Sequence, residues 1–223
     1  MTHPLHAELT QGLSALGLLL SPETEQQLLD YLDLIARWNK VYNLTAVREP
    51  RDMLRQHLLD CLAAVPLLDR ADAARGENGH AAWRILDVGS GAGLPGVVLA
   101  IVRSQWQVTC VDTVAKKASF IRQVGAELGL PNLQAVHQRV EAMDTPPFDL
   151  ITSRAFASLA DFIALTRERL APQGQWVAMK AHLTEDERAA VPSDVQITGV
   201  SPLTVPGLDA QRCLVWMRPA TSL

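Results

Sequence analysis

The sequence has few cysteines, and they stand apart. Cys61, Cys110 and Cys213 form no C-x-x-C pair. That argues against a disulfide framework or a zinc site and fits a reducing compartment, so a cytoplasmic location is expected. Positive charge is also not in excess: 20 Lys and Arg stand against 24 Asp and Glu, a formal net charge of −4. A general polyanion binder is not suggested. A local basic patch stays open, because binding depends on where charge is placed. The apolar run 13–20 has no Lys or Arg before it and no small-residue cleavage site after it. It is too short to span a bilayer and reads as an amphipathic helix. The sequon Asn43-Leu44-Thr45 means nothing without export. No internal repeat and no low-complexity tract occurs.

With 223 residues, 48% of them hydrophobic, the chain suits one large α/β domain with an appendage. Residues 1–69 read as a helical appendage. Ser21-Pro22-Glu23 supplies a cap, a first-turn proline and an acid at the positive helix end. Leu28, Leu29, Leu32, Ile35 and Ala36 then recur at helical spacing. A second amphipathic helix follows Pro50, with Met53, Leu54, Leu58, Cys61, Leu62 and Val65 on its apolar side. Residues 70–82, "RADAARGENGHAA", read as a linker to the domain over 83–223.

In that domain short strands alternate with helices. Strands are predicted at "WRILDV", "WQVTCV", "NLQAVHQ", "FDLITS" and "GQWVAMK", with helices over 94–102, 115–128 and 158–170. Such alternation implies βαβ units and a mostly parallel sheet with helices on both faces. Two further strands are expected at 195–200 and 213–217.

The first strand runs into "LDVGSGAGLPG", residues 86–96. From Gly91 it spells G-x-G-x-x-G, a dinucleotide fingerprint. From Gly89 it spells G-x-G-x-G with an acid two residues ahead, the pattern of an S-adenosylmethionine (SAM) site. A carboxylate at Asp87 would repel a diphosphate, whereas SAM carries an ammonium and a sulfonium. Counting from Gly91 also pushes the dinucleotide motif into the helix. Asp112 ends the second strand, where an acid binds a ribose in either cofactor. The residues favour SAM, with Asp87, Gly89, Gly91, Gly93 and Asp112 as candidate contacts.

Four motifs occur in order: "WNKVYNLT" from Trp38, His57 with Asp60, "DVGSGAGLPG", and Ser153-Arg154-Ala155-Phe156. Together they resemble the RsmG (GidB) family of bacterial rRNA methyltransferases, over roughly Trp38 to Lys180. The resemblance implies a class I, Rossmann-like methyltransferase fold preceded by a small helical part. It implies methyl transfer from SAM to N7 of one guanine in 16S rRNA of the small ribosomal subunit. It also implies SAM contacts at Gly89, Leu94, Val140, Glu141 and Arg154. The family's Lys-Arg after the second strand is Lys116-Lys117 here, its Ser after the His/Asp pair is Cys61, and its Gly after the fifth-strand Lys is Ala181.

Guanine N7 already offers a lone pair, so no general base, metal or covalent intermediate is expected, and the protein's work is alignment. His57, Asp60 and Arg154 would position, or His57 and Asp60 would be a buried polar pair that docks the appendage. Trp38 reads as a core anchor rather than a stacking platform. RNA contacts are expected from Arg37, Lys40, Arg48, Arg51 and Arg55, and from Lys116, Lys117, Arg122, Arg139, Arg154 and Lys180. The chain is expected to act as a monomer, away from membranes. The alternatives are a SAM methyltransferase on another substrate and a nucleotide-binding module without catalysis.

Overall fold

The computed structural model describes residues 2–75, 82–156 and 158–220. Helix α1 (His6–Ala15) leads to α2 (Pro22–Tyr42). Ser21 Oγ accepts from Thr24 N at 3.2 Å at the start of α2, and Asn43 ends it in the left-handed region at φ 50°. Leu28, Leu29, Leu32 and Ile35 are buried along one stripe, as the spacing predicts.

The helix after Pro50 is not continuous. It runs as α3 (Pro50–Met53), a π-helical stretch (Leu54–Leu59) and α4 (Asp60–Leu62), then breaks before α5 (Val65–Ala73). Its predicted apolar residues are all buried. Helix α5 carries residues 70–73 of the expected linker, because Leu68 still packs inward there. Residues 76–81 of that segment lie outside the described residues.

The rest is an alternation of strands and helices: β1 (Arg84–Val88), α6 (Gly96–Val102), β2 (Gln107–Asp112), α7 (Ala115–Glu127), β3 (Leu133–His137), β4 (Phe148–Arg154), α8 (Leu159–Thr166), β5 (Leu170–Lys180), α9 (Glu185–Ala189), β6 (Val195–Leu203) and β7 (Arg212–Pro219). The strand order is β3-β2-β1-β4-β5-β7-β6. Strands β1 to β5 are parallel, and β7 runs antiparallel between β5 and β6. This is the expected Rossmann-like methyltransferase sheet. The chain winds outward from β1 in both directions, so the crevice for a ligand opens at the carboxyl ends of β1 and β4.

Several boundaries differ from expectation: β5, β6 and β7 run longer than expected, and two helices are shorter. The helix expected over 158–170 ends at Thr166 and passes through a 3₁₀ turn into β5, and Pro172 bars its continuation. The helix expected from Leu94 starts at Gly96, after a turn.

One core joins the N-terminal helices to a sheet face. Leu28 and Tyr31 of α2 share it with Val97 of α6 and Phe120 of α7. A second core lies on the other face, under α8. Tyr31 is fully buried and donates from its hydroxyl to Ala92 O at 2.6 Å, so α2 is bonded to the glycine loop. Among the described residues no helix is long and apolar enough to cross a membrane.

Candidate functional site

The glycine loop leaves β1 with Gly89 at φ 67°, a conformation that a Cβ would strain. A Cβ on Gly89 would meet nothing within 4 Å, so this backbone faces open space. Gly96 is needed for a different reason: its Cβ would lie 2.4 Å from Cys110 Sγ. Gly93 is turned away from the cavity, toward Val97 and the Tyr31 hydroxyl.

Asp87 is placed differently from its sequence expectation. It is fully buried and lies off the cavity wall. Its Oδ2 accepts from Gly96 N at 2.9 Å, and its Oδ1 has no hydrogen-bond partner among the described residues. Burial pushes its pKa up to about 6. Asp87 therefore acts on the loop from behind. Asp112 also braces the loop: its Oδ2 accepts from Gly91 N at 2.9 Å and its Oδ1 from Val114 N at 2.8 Å. Val140 is buried in the short turn after β3, and exposed Glu141 pairs with Arg139 at 2.9 Å. Neither lines the cavity.

That cavity holds about 560 Å³. Gly89, Gly91 and Leu94 form one wall, and Thr45, His57 and Asp60 form another. Arg154, at the end of β4, and Arg212, at the start of β7, complete it. The Asp60 carboxylate is buried between the two arginines. Its Oδ2 accepts from Arg154 Nη1 at 3.1 Å and its Oδ1 from Arg212 Nε at 3.0 Å. Arg154 Nη1 also donates to Gln56 O at 2.7 Å, so it holds a carbonyl of the π-helical stretch. Such stretches leave backbone groups for outside partners. Arg154 thus ties β4 to the helical part, and Ala155 just after it takes φ 64°, a strained value for a residue with a Cβ.

His57 and Asp60 share this wall but do not bond to each other. His57 Nε2 is 2.9 Å from Thr45 Oγ1. Burial, and then the Arg154 charge, push the pKa of His57 down to about 4. The imidazole is neutral at pH 7. The loop that carries Thr45 is held by Asn39, whose Oδ1 accepts from Thr45 N at 2.9 Å. Trp38 packs on Phe120, with ring centroids 5.3 Å apart, as an anchor would.

The structure divides the predicted basic residues. Arg51 and Arg55 are both held by Glu8 of α1, at 3.6 and 2.6 Å. Lys117 pairs with Asp112, Arg139 with Glu141, and Lys180 with Glu187 at 2.6 Å. Arg122 donates to Ser119. Arg37, Lys40, Arg48 and Lys116 are exposed and form no ion pair among the described residues. Sequence reasoning missed Arg212 and Glu187, which both line the cavity. Neither sits in a motif. No group of three His, Cys, Asp or Glu among the described residues is placed to hold a metal.

The comparisons with known proteins identify the family. The family model of GidB, rRNA small subunit methyltransferase G, matches residues 24–215. A ribosomal RNA small subunit methyltransferase G of Acidovorax ebreus (strain TPSY) is 57% identical over 217 residues, covering 96% of each chain. Its counterpart in Methylibium petroleiphilum is 58% identical over 209 residues, covering 94% of this chain and 92% of the other. Among solved structures, TrmN from Thermus thermophilus matches with a TM-score of 0.55 at 17% identity, over 71% of this chain and 48% of that one, a likeness of fold. Matched over most of its length by model and relatives alike, the chain belongs to the GidB family, rRNA small subunit methyltransferase G, and its cofactor is S-adenosylmethionine.

Proposed function

We propose that this chain transfers the methyl group of SAM to N7 of one guanine in 16S rRNA of the small ribosomal subunit, by direct in-line transfer without a general base. Family membership supports the substrate. One observation supports the chemistry: the two buried groups on the wall best suited to take a proton are both disabled. His57 is neutral with a pKa of about 4, a poor base at pH 7. The Asp60 carboxylate is engaged by two guanidiniums. Guanine N7 needs neither, because its lone pair is free at neutral pH.

The residues present fit the cofactor. Gly89 leaves the backbone open to a ligand, Leu94 adds apolar wall, and Gly91 is held in place by Asp112. When bound, SAM supplies a methyl group on positively charged sulfur. The chain's own work is to bind, align and exclude water. The neutral His57–Thr45 pair lines the cavity without adding charge. Val140 and Glu141 would border the adenine end.

The test is nucleoside mapping of 16S rRNA treated with the enzyme and SAM. 7-Methylguanosine should appear at a single position. Single-turnover rates should be flat from about pH 7 to about pH 8.5, since no proton leaves the nucleophile. His57→Gln should keep that flat profile. A sloping profile that His57→Gln abolishes would make His57 a base and overturn the mechanism.

Asp112 gives a second expected result. Asp112→Ala removes the acceptor for Gly91 N and Val114 N, and with it the brace of the glycine loop. SAM affinity by calorimetry should fall by about 1.5–3 kcal/mol, the worth of a charged hydrogen bond, or roughly ten- to a hundredfold. Unchanged affinity in a folded variant would show that the cofactor lies elsewhere.

A further inference from the structure

Resting on that reading of the substrate, we propose that the ring of Tyr42 stacks an unpaired nucleotide flanking the target guanine, while Arg37, Lys40 and Arg48 around the same end of α2 take the phosphates on either side of it. Three observations place it there.

The first is a chain of tilted aromatic contacts that leads from the core to the rim. Phe120 is fully buried, half-buried Trp38 packs on it at 5.3 Å, and Tyr42 packs on Trp38 at 5.1 Å. Tyr42 is 37% exposed, and its neighbour Val41 is 72% exposed. A ring braced by Trp38, itself anchored on Phe120, is a rigid platform for another flat group. Stacking of bases on such rings is the usual way proteins grip unpaired RNA.

The second is charge. Residues 34–48 contain Arg37, Lys40 and Arg48 and no acid, and Asp33, four residues before Arg37, lies 3.4 Å from His3 Nε2. Arg37, Lys40 and Val41 are spaced i, i+3 and i+4, hence on one helix face, which adjoins the face carrying Trp38 and Tyr42. These three cations form no ion pair among the described residues, unlike Arg51, Arg55, Lys117, Arg139 and Lys180. Unpaired positive charge beside exposed apolar surface suits a phosphate and the base it carries. Glu49 and Asp52 lie beyond Arg48, and the Glu49 carboxylate is turned to cap Asp52 N.

The third is position. Leu44 and Thr45 line the cavity. They follow Tyr42 by two and three residues, which limits the distance to about 10 Å of chain. That separation is within the reach of one or two nucleotides from a target guanine in the cavity.

The test measures methylation by wild type and variants on two substrates: a protein-free 16S rRNA transcript and purified small ribosomal subunits. Tyr42→Ser should raise KM for the transcript by about fivefold to tenfold, with a much smaller change in kcat. Tyr42→Trp should keep KM near wild type. Val41→Asp, at a site too exposed to unfold the protein, should raise KM by a similar factor. Lys40→Ala should reduce the salt slope of RNA binding by about one. If Tyr42→Ser and Val41→Asp leave KM within twofold on both substrates, the surface does not bind RNA. If they act only on the particle with its proteins, it docks a ribosomal protein, and the proposal is equally overturned. Failure of wild type to methylate either substrate would instead remove the functional reading beneath it.

Discussion

Asp60→Ala should destabilise the protein by about 3 kcal/mol, the lower end for breaking a buried ion pair, and should abolish most methyl transfer. The carboxylate is 4% exposed and serves two guanidiniums that are 23% and 26% exposed. Its removal leaves two half-buried positive charges side by side with no anion between them. It also cuts the link between the helical part, β4 and β7. At this chain length the loss corresponds to a fall in Tm of roughly 6–12 °C. The contrast is Glu185→Ala, which removes the partner of Arg188 from a pair 3.9 Å apart whose acid is 90% exposed. That change should cost at most about 1 kcal/mol. Thermal melts of the two variants check the claim. Equal shifts for both would mean that the arginines around Asp60 find other partners, and that this network does not hold the site together.

Replacement of the target guanine by 7-deazaguanine should abolish methyl transfer while leaving RNA binding close to normal. The change exchanges one ring nitrogen for C–H and removes the attacking lone pair, while the Watson–Crick edge stays intact. His57 and Thr45 lie on the cavity wall, where a neutral pair gives no means of activating carbon. Single-turnover assays with labelled SAM, beside a filter-binding measurement on the same RNA, separate the two effects. A methyl group on the deaza nucleotide would show that N7 is not the acceptor. Loss of binding together with transfer would show that N7 is also a recognition point.

Much of this architecture is legible in the residues, because it rests on local rules. The α2 stripe follows the helical period. The alternation of short apolar strands with helices leads to a parallel sheet, and the glycine loop announces its own place at the end of β1. What escapes local reading is pairing at long range. Arg51 and Arg55 look like free cations until Glu8, on another helix, takes both. Asp87 stands next to the loop in sequence, yet strand alternation turns its carboxylate inward to Gly96. Arg212 carries no motif at all, and it reaches the cavity only because β7 inserts between β5 and β6. The π-helical stretch is equally silent, since its residues keep an ordinary amphipathic pattern and only the carbonyl of Gln56 reveals it.

The insertion of β7 also sets an order of events during synthesis. Asp60 leaves the ribosome long before Arg212, which follows it by 152 residues. Helices and parallel strands can form as they emerge, in the way that domains generally fold from the N-terminal side. The cavity wall cannot close until β7 has been made and slotted beside β5. A nascent chain carrying a formed glycine loop thus has no finished place for a base. The wall around Asp60 is therefore completed by the last strand of the sheet to be made.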